Sequence, residues 1–336
     1  MNTDINTDLK STFEFARKGL ILKSDLYWNT KDPCPAFDGT TWHIFGSGGK
    51  TGDEVWHILH ATAPSPEGPW IEQEASILEV VEGPHVAAPG VIYDQEDRLF
   101  HMFVQREFMQ LGGTIEHLTS TDGKCFQFRD TSLASLPGTQ EAGIYDPHPA
   151  IINGKKCFVY SAMERVSHPD LFLAESAGDW KGPWIRKGKI LDHESITHHN
   201  QHGQENYEWG LEGSQLVQLP SGNILLNAVC FLPQGRHGER QRVFFAAASQ
   251  STGPYYTMGP VIDPLEDEVM PEGREEWENW ESGENGHAAG IVRGDSLYLF
   301  YQSRAFSPRN RWCYGLAVFK IAEIEKMVAE TLKKSI

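Results

Sequence analysis

A hairpin unit recurs five times along the chain and constrains its fold more than any other sequence feature. The clearest copy enters at residues 145–147 (Tyr-Asp-Pro) and turns at residues 153–154 (Asn-Gly) between two apolar runs. Asn-Gly in that setting is a strong hairpin signal, because both turn positions need a positive φ. The entry residues of the five copies are Asp32, Ala88, Asp146, Glu212 and His287. Their spacings of 56, 58, 66 and 75 residues indicate a solenoid, a propeller or an array.

A second signal keeps the phase of the first. Gly-Pro followed by an aromatic residue closes three of the copies, at residues 68–70, 182–184 and 253–255. Gly-Pro forces a turn, and the aromatic residue can then begin an outer strand and cover the face of the unit. No helical pattern separates the copies. The sequence therefore predicts an all-β, five-bladed β-propeller, with blades that start near residues 32, 88, 146, 212 and 287.

Both ends of the chain carry a helical pattern. Residues 9–20 predict a short amphipathic helix within an N-terminal extension over residues 1–27, with Ser11 as its cap and Gly19 as its stop. Residues 321–334 predict a C-terminal helix whose final lysines suit the helix dipole. Since no linker or low-complexity segment divides the chain, we expect one domain over residues 1–336.

Composition excludes several classes of function. The formal net charge of −17 opposes binding to phosphate backbones and anionic lipid, so neither nucleic acid nor a membrane surface is an expected partner. No apolar run approaches the roughly 20 residues of a membrane helix. The five scattered cysteines predict neither a disulfide framework nor a zinc site. The polar N-terminus lacks a secretory signal, so we expect a cytoplasmic protein, or a periplasmic or secreted one if a leader has been removed.

The entry residues carry the chemistry. The innermost strand of each propeller blade lines the central channel, so these residues should converge at one end of the channel. Asp32, Asp146 and Glu212 are carboxylates and His287 is an imidazole, and charged groups rarely face a core without a partner or a purpose. A single Asp-Pro at a strand start is often only a turn or cap. Three acids at equivalent positions instead predict a functional cluster with at least one raised pKa, as a general acid requires.

The entry motifs resemble, in order and spacing, those of the family 43 glycoside hydrolases and their five-bladed relatives, which include families 32, 62, 68 and 117. The motifs are Lys31-Asp32-Pro33, Ala88-Pro89, Tyr145-Asp146-Pro147, Glu212-Gly213 and Gly286-His287. Each motif is short, and the resemblance depends on the ordered set, which runs from about residue 28 to residue 320. Ala87 stands where that family usually has tryptophan, which puts the substrate in doubt more than the chemistry.

The resemblance implies a role for each residue of the cluster. It implies that Asp32 is the general base, that Glu212 is the general acid, and that Asp146 tunes the pKa of the acid and orients it. It also implies that His287 lies on the axis near a water molecule or a calcium or sodium ion, with no cofactor required for the reaction. The implied substrate is a pentose-type or related oligosaccharide of plant or algal origin.

The chemistry of glycoside cleavage agrees with this resemblance and leaves the stereochemistry open. Glycoside cleavage needs one carboxylic acid to protonate the leaving oxygen and one carboxylate to activate water or attack carbon. An inverting enzyme would hold Asp32 and Glu212 roughly 6.5–9.5 Å apart, whereas roughly 5 Å would favour retention with Asp32 as nucleophile. Residues 28–33 also resemble the Asp-Pro motif of the retaining fructosidases, so a fructosidase-like hydrolase or transferase is an alternative. A non-catalytic carbohydrate-binding propeller is another.

Aromatic and histidine side chains near the entry motifs are candidates for substrate binding. Trp28, Trp209 and Trp280 flank entry motifs and could stack on sugar rings, with burial in the core as the alternative. The histidine-rich segment 198–209 precedes Glu212 and predicts sugar contact, a solvated loop or a metal site. It contains His202, which the resemblance to agar-degrading relatives makes an alternative acid.

Two further residues complete the set of candidate substrate contacts. His148 lies within the entry motif of the third copy, and Arg304 follows the second strand of the fifth. A guanidinium at that position could bind a substrate hydroxyl or carboxylate, or lie on the surface. The expected partner is thus an oligosaccharide, and a homo-oligomer formed through the N-terminal helix is an open alternative.

Overall fold

The fold is a ring of five sheets. The computed structural model describes residues 13–50, 56–73, 86–106, 111–165, 168–197, 210–233, 239–262, 280–281, 283–304 and 311–334. Within these residues, twenty strands form five antiparallel sheets of four strands each. The first strand, β1 (Phe15–Leu22), belongs to the last sheet. The predicted five-bladed β-propeller is therefore confirmed.

Four blades use consecutive strands, and in each the first strand is the innermost. Blade one contains β2 (Asn29–Phe37), β3 (Trp42–Gly49), β4 (Trp56–Ala63) and β5 (Ile71–Glu72). Blade two contains β6 (Val86–Asp94), β7 (Leu99–Arg106), β8 (Thr114–Ser120) and β9 (Gln127–Ala134). Blade three contains β10 (Gly143–Ile152), β11 (Lys155–Met163), β12 (Asp170–Asp179) and β13 (Gly182–Leu191), followed by the short helix α1 (His193–Thr197). Blade four contains β14 (Glu212–Gln218), β15 (Ile224–Pro233), β16 (Glu239–Ala248) and β17 (Tyr256–Pro260).

Blade five joins the two ends of the chain. It contains β18 (Glu284–Arg293), β19 (Ser296–Arg304) and β20 (Cys313–Lys320), and β1 pairs with β20 as its outer strand. The predicted C-terminal helix follows as α2 (Ile321–Lys334), which buries Ile321, Ile324 and Val328. Among the described residues, no helix is long and apolar enough to cross a bilayer.

The predicted N-terminal helix is wrong wherever the structure describes it. Phe15–Leu22 is an extended strand that pairs antiparallel with β20, with Phe15 opposite Phe319 and Leu22 opposite Tyr314. The amphipathic pattern of this segment predicted a helix, but the segment pairs as a strand with residues about 300 positions away. Strand formation depends on neighbouring strands more than on local preference. Residues 1–12 of the predicted extension lie outside the described residues.

The core is divided among the blade interfaces. Buried hydrophobic clusters lie between blades one and two, two and three, three and four, four and five, and five and one. Helix α2 packs on the cluster between blades four and five. Because each sheet packs against both of its neighbours, the inner strands are held in a fixed ring around the axis. This ring positions the entry residues.

Candidate active site

Each inner strand is bulged at its entry motif, and the bulge aims the side chains. In β2, Lys31 pairs with Ser47 and Cys34 pairs with Phe45, so two residues, Asp32 and Pro33, lie opposite one. Asp32 takes a left-handed backbone conformation with φ 58°. The same two-opposite-one shift occurs in β6, β10 and β14. In β18 a single residue, His287, is inserted between the pairs Gly286–Gln302 and Ala288–Tyr301. A bulge of this kind re-aims a side chain, and bulges are frequent beside active sites.

The three acids do not occupy equivalent positions relative to the bulges. Asp32 and Asp146 both occupy the left-handed position of their bulges, with φ 58° and 49°. In blade four that position belongs to Gly213, with φ 54°, and Glu212 still pairs with Val229 just before the bulge. The expectation that all three carboxylates are equivalent is therefore wrong by one residue for Glu212. The site nevertheless includes Glu212.

One imidazole joins the three carboxylates at the axis. His287 Nδ1 lies 2.8 Å from Asp32 Oδ1, and His287 Nε2 lies 3.3 Å from Glu212 Oε1 and 4.0 Å from Asp146 Oδ2. The Gly213 N–H donates to Asp146 Oδ2 at 3.1 Å. All four side chains are largely excluded from solvent. The structure thus brings together Asp32, Asp146, Glu212 and His287.

The electrostatics of this axial cluster separate its members. Burial opposes ionisation of every group in it. For His287 the charges of Asp32 and Asp146 and the hydrogen bonds to Asp32 and Glu212 outweigh burial and raise the pKa to about 10. For Asp32 burial is likewise outweighed by the charge and hydrogen bond of His287, with help from Lys31 and Ser47, and its pKa falls to about 2.

Asp146 responds in the opposite sense. Burial raises its pKa, and the charges of Glu212 and Asp32 raise it further against the effect of His287, to about 7. At neutral pH the axial cluster therefore contains an ionised Asp32, a protonated His287 and a carboxyl group that is still partly protonated. Carboxyl groups whose environments push their pKa values apart are the basis of acid and base assignments in hydrolases.

The cluster does not fit direct coordination of an axial metal ion. Asp146, Glu212 and His287 offer ligand atoms that lie within 4.8 Å of one another. However, both ring nitrogens of His287 face carboxylates, and its raised pKa keeps both protonated. An imidazolium has no lone pair for a metal, which requires neutral histidine. A Ca²⁺ or Na⁺ ion near the axis that reaches His287 through a water molecule would need no lone pair from the ring, and it stays a prediction.

Side chains from neighbouring blades hold the backbone of the bulges. The Asp32 N–H donates to Gln302 Oε1 at 2.7 Å, and the Asp146 N–H donates to Gln105 Oε1 at 2.5 Å. The Ser47 hydroxyl donates to Asp32 Oδ2 at 2.6 Å and accepts the Ala88 N–H at 2.8 Å. Sequence reasoning missed Gln105, Gln302 and Ser47. The available signal was a polar residue on the second strand of blades one, two, three and five, opposite the residue that precedes the bulge.

The predicted substrate-binding residues are dispersed. His148 lines the axial channel, where its Nε2 lies 3.3 Å from Cys34 Sγ. Arg304 pairs with Glu284, and its guanidinium lies over Trp312. His202 and Trp209 lie outside the described residues.

The two remaining tryptophans differ in burial. Trp28 is half-buried, with the Arg311 guanidinium 5.1 Å from its ring centroid. Trp280 is buried and stacks on Tyr301 at 6.0 Å. The expectation that Trp280 binds sugar is wrong, because this side chain fills the core.

Two cavities lie along the axis. One, of about 30 Å³, is lined by Asp32, Asp146 and His287 together with residues from every inner strand. Its size suits a single water molecule. The other, of about 400 Å³, is bounded by the later halves of the same strands, including Phe37, Ile92 and Val217. The acids therefore gather around the narrow part of the channel and the apolar residues around the wide part.

Comparisons with known proteins describe the fold. No family model matches the chain, and no curated protein matches it. Among solved structures, the catalytic domain of a GH62 α-L-arabinofuranosidase from Coprinopsis cinerea is similar, with a TM-score of 0.64, 16% identity, and coverage of 91% of this chain and 97% of that one. An endo-arabinase from Bacteroides thetaiotaomicron gives a TM-score of 0.60 at 12% identity, with coverage of 91% and 97%. An arabinanase from Bacillus subtilis gives 0.58 at 15% identity, with coverage of 91% and 97%.

Proposed function

We propose that this protein is a glycoside hydrolase that cleaves a pentose-type linkage in an oligosaccharide. One observation carries the proposal: His287 holds the ionised Asp32 on one side and Glu212 on the other, in a buried site on the propeller axis. Hydrolysis of a glycoside requires a carboxylate and a second carboxyl group that face a common site. The likeness of the fold to arabinofuranosidases and arabinanases supports arabinose-containing substrates.

Asp32 acts as the base in this proposal. Its pKa of about 2 keeps it ionised at every pH near neutrality, so it can take a proton from water. The hydrogen bond from Ser47 to Oδ2 and the ion pair of Oδ1 with His287 orient the carboxylate. Inversion, with a water molecule between Asp32 and the sugar, is the proposed stereochemistry.

Glu212 acts as the acid and protonates the leaving oxygen. Asp146 lies beside it and contacts the same nitrogen of His287. Burial and the charges of Glu212 and Asp32 raise the pKa of Asp146 to about 7, so below neutral pH Asp146 holds a proton next to Glu212. Asp146 thereby tunes and orients the acid, and Trp28 and Arg304 are kept as proposed sugar contacts.

Turnover of aryl glycosides and arabino-oligosaccharides tests this assignment. Glu212→Gln should lower kcat on oligosaccharides roughly 10²–10⁴-fold, because the leaving oxygen loses its acid. The loss should be much smaller on a 2,4-dinitrophenyl arabinofuranoside, whose leaving group needs no proton. Asp32→Asn should lower the rate on both substrates. Equal activity of wild type and Glu212→Gln on oligosaccharides would contradict the assignment.

A matched control uses a buried carboxyl group outside the cluster. Glu141 is 8% exposed and accepts the Tyr160 hydroxyl at 2.7 Å, so Glu141→Gln removes a buried acid without touching the axis. Proton NMR of the first-formed sugar anomer then separates inversion from retention. A retained anomer would assign Asp32 as nucleophile. Tight sugar binding without turnover would identify a carbohydrate-binding propeller.

A further inference from the structure

Two buried glutamines connect the proposed base to the proposed acid. Gln302 lies on β19 in blade five and is fully buried, and Gln241 lies on β16 in blade four and is 8% exposed. The Asp32 N–H donates to Gln302 Oε1 at 2.7 Å. Gln302 Nε2 donates to Gln241 Oε1 at 3.1 Å, and Gln241 Nε2 donates to Glu212 Oε1 at 3.1 Å. A relay of three hydrogen bonds thus crosses from blade one through blade five to blade four.

The polarity of this relay is determined at its start. A backbone N–H can only donate, so Gln302 must present its oxygen to Asp32 and its NH₂ group to Gln241. Gln241 must then present its oxygen to Gln302 and its NH₂ group to Glu212. A second contact holds Gln241 in place, because its own N–H donates to Glu284 Oε2 at 3.0 Å. Neither amide can flip without breaking a bond in a buried site.

The relay also explains a glycine. A Cβ atom at Gly286 would lie 1.9 Å from Gln241 Oε1, and contacts under about 3 Å do not occur between such atoms. The side chain of Gln241 therefore reaches Glu212 through space that only glycine leaves open. Gln241 is therefore packed directly against the entry motif of blade five while it bonds Glu212.

The end of the relay selects one oxygen of Glu212. Its Oε1 atom faces Gln241 Nε2 at 3.1 Å and His287 Nε2 at 3.3 Å. An oxygen that accepts a hydrogen bond and lies against an imidazolium is the poorer place for a proton, which then goes to the other oxygen. We infer that Gln241 and Gln302 are positioning residues that keep Glu212 Oε1 unprotonated and direct the proton of the acid to Oε2. This inference rests on the proposed function.

Leaving-group dependence tests the inference. Gln241→Leu keeps the volume of the side chain and removes its donor, so the proton of Glu212 is no longer directed to one oxygen. We expect kcat on arabino-oligosaccharides to fall about 10- to 100-fold, as for other small misplacements of a reacting group, with KM changed less than twofold. On a 2,4-dinitrophenyl arabinofuranoside kcat should fall less than threefold. Gln302→Leu, one step removed, should act in the same direction with a smaller effect.

Gln215→Leu is the matched control. Gln215 is also 8% exposed, and it bonds the backbone of Gly290 through both amide atoms, at 2.9 and 2.6 Å. A merely structural loss of a buried amide should lower the rates on both substrates by the same factor in this variant. An equal loss on both substrates in Gln241→Leu, or no loss on either, would overturn the inference.

NMR of side-chain amides tests the relay without any turnover. The NH₂ protons of Gln241 should exchange slowly with solvent in the wild type and at least tenfold faster in Gln302→Leu. Fast exchange in the wild type overturns the relay whether or not the protein cleaves sugars. Slow exchange in a protein that cleaves no glycoside would instead refute the proposed function, and with it the role of the relay in directing an acid.

Discussion

The histidine at the axis and the histidines between the first three blades are all buried, yet they carry different charges. His287 is 5% exposed, and His60 and His117 are 2% and 1% exposed. Burial lowers the pKa of each, since an imidazolium loses its hydration. At His287 the charges of Asp32 and Asp146 reverse this effect and raise the pKa to about 10. At His60 and His117 burial prevails, and the pKa falls to about 3.

The neutral histidines form a repeated arrangement. In blade one, His43 Nδ1 lies 3.0 Å from His60 Nε2, and His43 Nε2 lies 3.3 Å from Asp38 Oδ2. Because Asp38 accepts the single ring proton of His43, the bond between the rings must be donated by His60. Blade two repeats the order with Asp97, His101 and His117.

Ring contacts explain why these histidines are kept. His43 packs edge-on against Phe100 of the next blade at 4.8 Å, and His117 stacks on Phe103 at 4.8 Å. The rings therefore serve as flat neutral groups in aromatic layers, whereas His287 serves as a buried cation. The comparison teaches that the number of facing carboxylates decides the charge of a buried histidine, and that depth of burial does not.

Removing the cation should produce the largest effect. His287→Asn leaves Asp32, Asp146 and Glu212 facing one another without a positive charge, and loss of one partner of a buried ion cluster costs about 3–5 kcal/mol. We expect the free energy of unfolding to fall by about that amount in urea titrations at pH 7. The deficit should shrink at pH 9, because the stabilisation from protonated His287 is lost as the pH rises from 6.5 towards its folded pKa of about 10. A deficit that is equal at both pH values would contradict the charge assigned to His287.

A smaller effect is the loss of folding stability in acid caused by the neutral rings of His60 and His117. Between pH 6.5, the ordinary pKa of histidine, and about pH 3 the unfolded chain binds protons that folded His60 and His117 do not. Stability should therefore fall as the pH drops below 6.5, by up to about 1.4 kcal/mol per pH unit for each ring. Above pH 6.5 the rings contribute no slope.

A matched variant isolates this slope. The double variant His60→Phe, His117→Phe removes both rings and keeps Asp146, whose raised pKa of about 7 gives a slope of opposite sign between pH 4 and 7. Urea midpoints of the two proteins at pH 7, 6 and 5 give the difference. If wild type and double variant have parallel pH dependences, the two rings are not neutral in the folded state.

The smallest effect concerns one hydrogen bond. His60→Phe at pH 7 leaves His43 Nδ1 without its donor and should cost about 1 kcal/mol. The pair His43→Phe, His60→Phe removes both partners and should cost less than the sum of the single changes. A double-mutant cycle by urea unfolding measures the coupling. Strict additivity would show that the ring-to-ring bond contributes nothing.

The fold was predictable because its signals are local and repeated. Asn153-Gly154 and the Gly-Pro-aromatic turns each determine a short segment, and five copies in phase identify the ring. The first strand was missed for the opposite reason. Its partner β20 is remote, and nothing within Phe15–Leu22 distinguishes an edge strand from a short amphipathic helix.

The convergence of Asp32, Asp146, Glu212 and His287 at the axis was predictable, whereas their register was less so. When the five copies are aligned by their carboxylates, Glu212 occupies the position of Asp32. When they are aligned by backbone conformation, Gly213 occupies that position. Glycine at a left-handed position was the signal that could have shown this. Gln241 and Gln302 were missed because they lie on the third and second strands of their blades and not on the strands that carry the entry motifs. Their polarity within apolar strands was the available clue, but which polar group each would meet depends on how neighbouring blades dock.

The pairing of β1 with β20 has a consequence for the order of events in biosynthesis. A ribosome releases Phe15–Leu22 about 300 residues before their partner, Cys313–Lys320. The ring of sheets can close only after both segments have emerged. His287, which neutralises the acids contributed by earlier blades, also arrives late. The three acids therefore cannot meet their counterion before the last blade is made, so closure of the ring and completion of the charged centre are coupled in time.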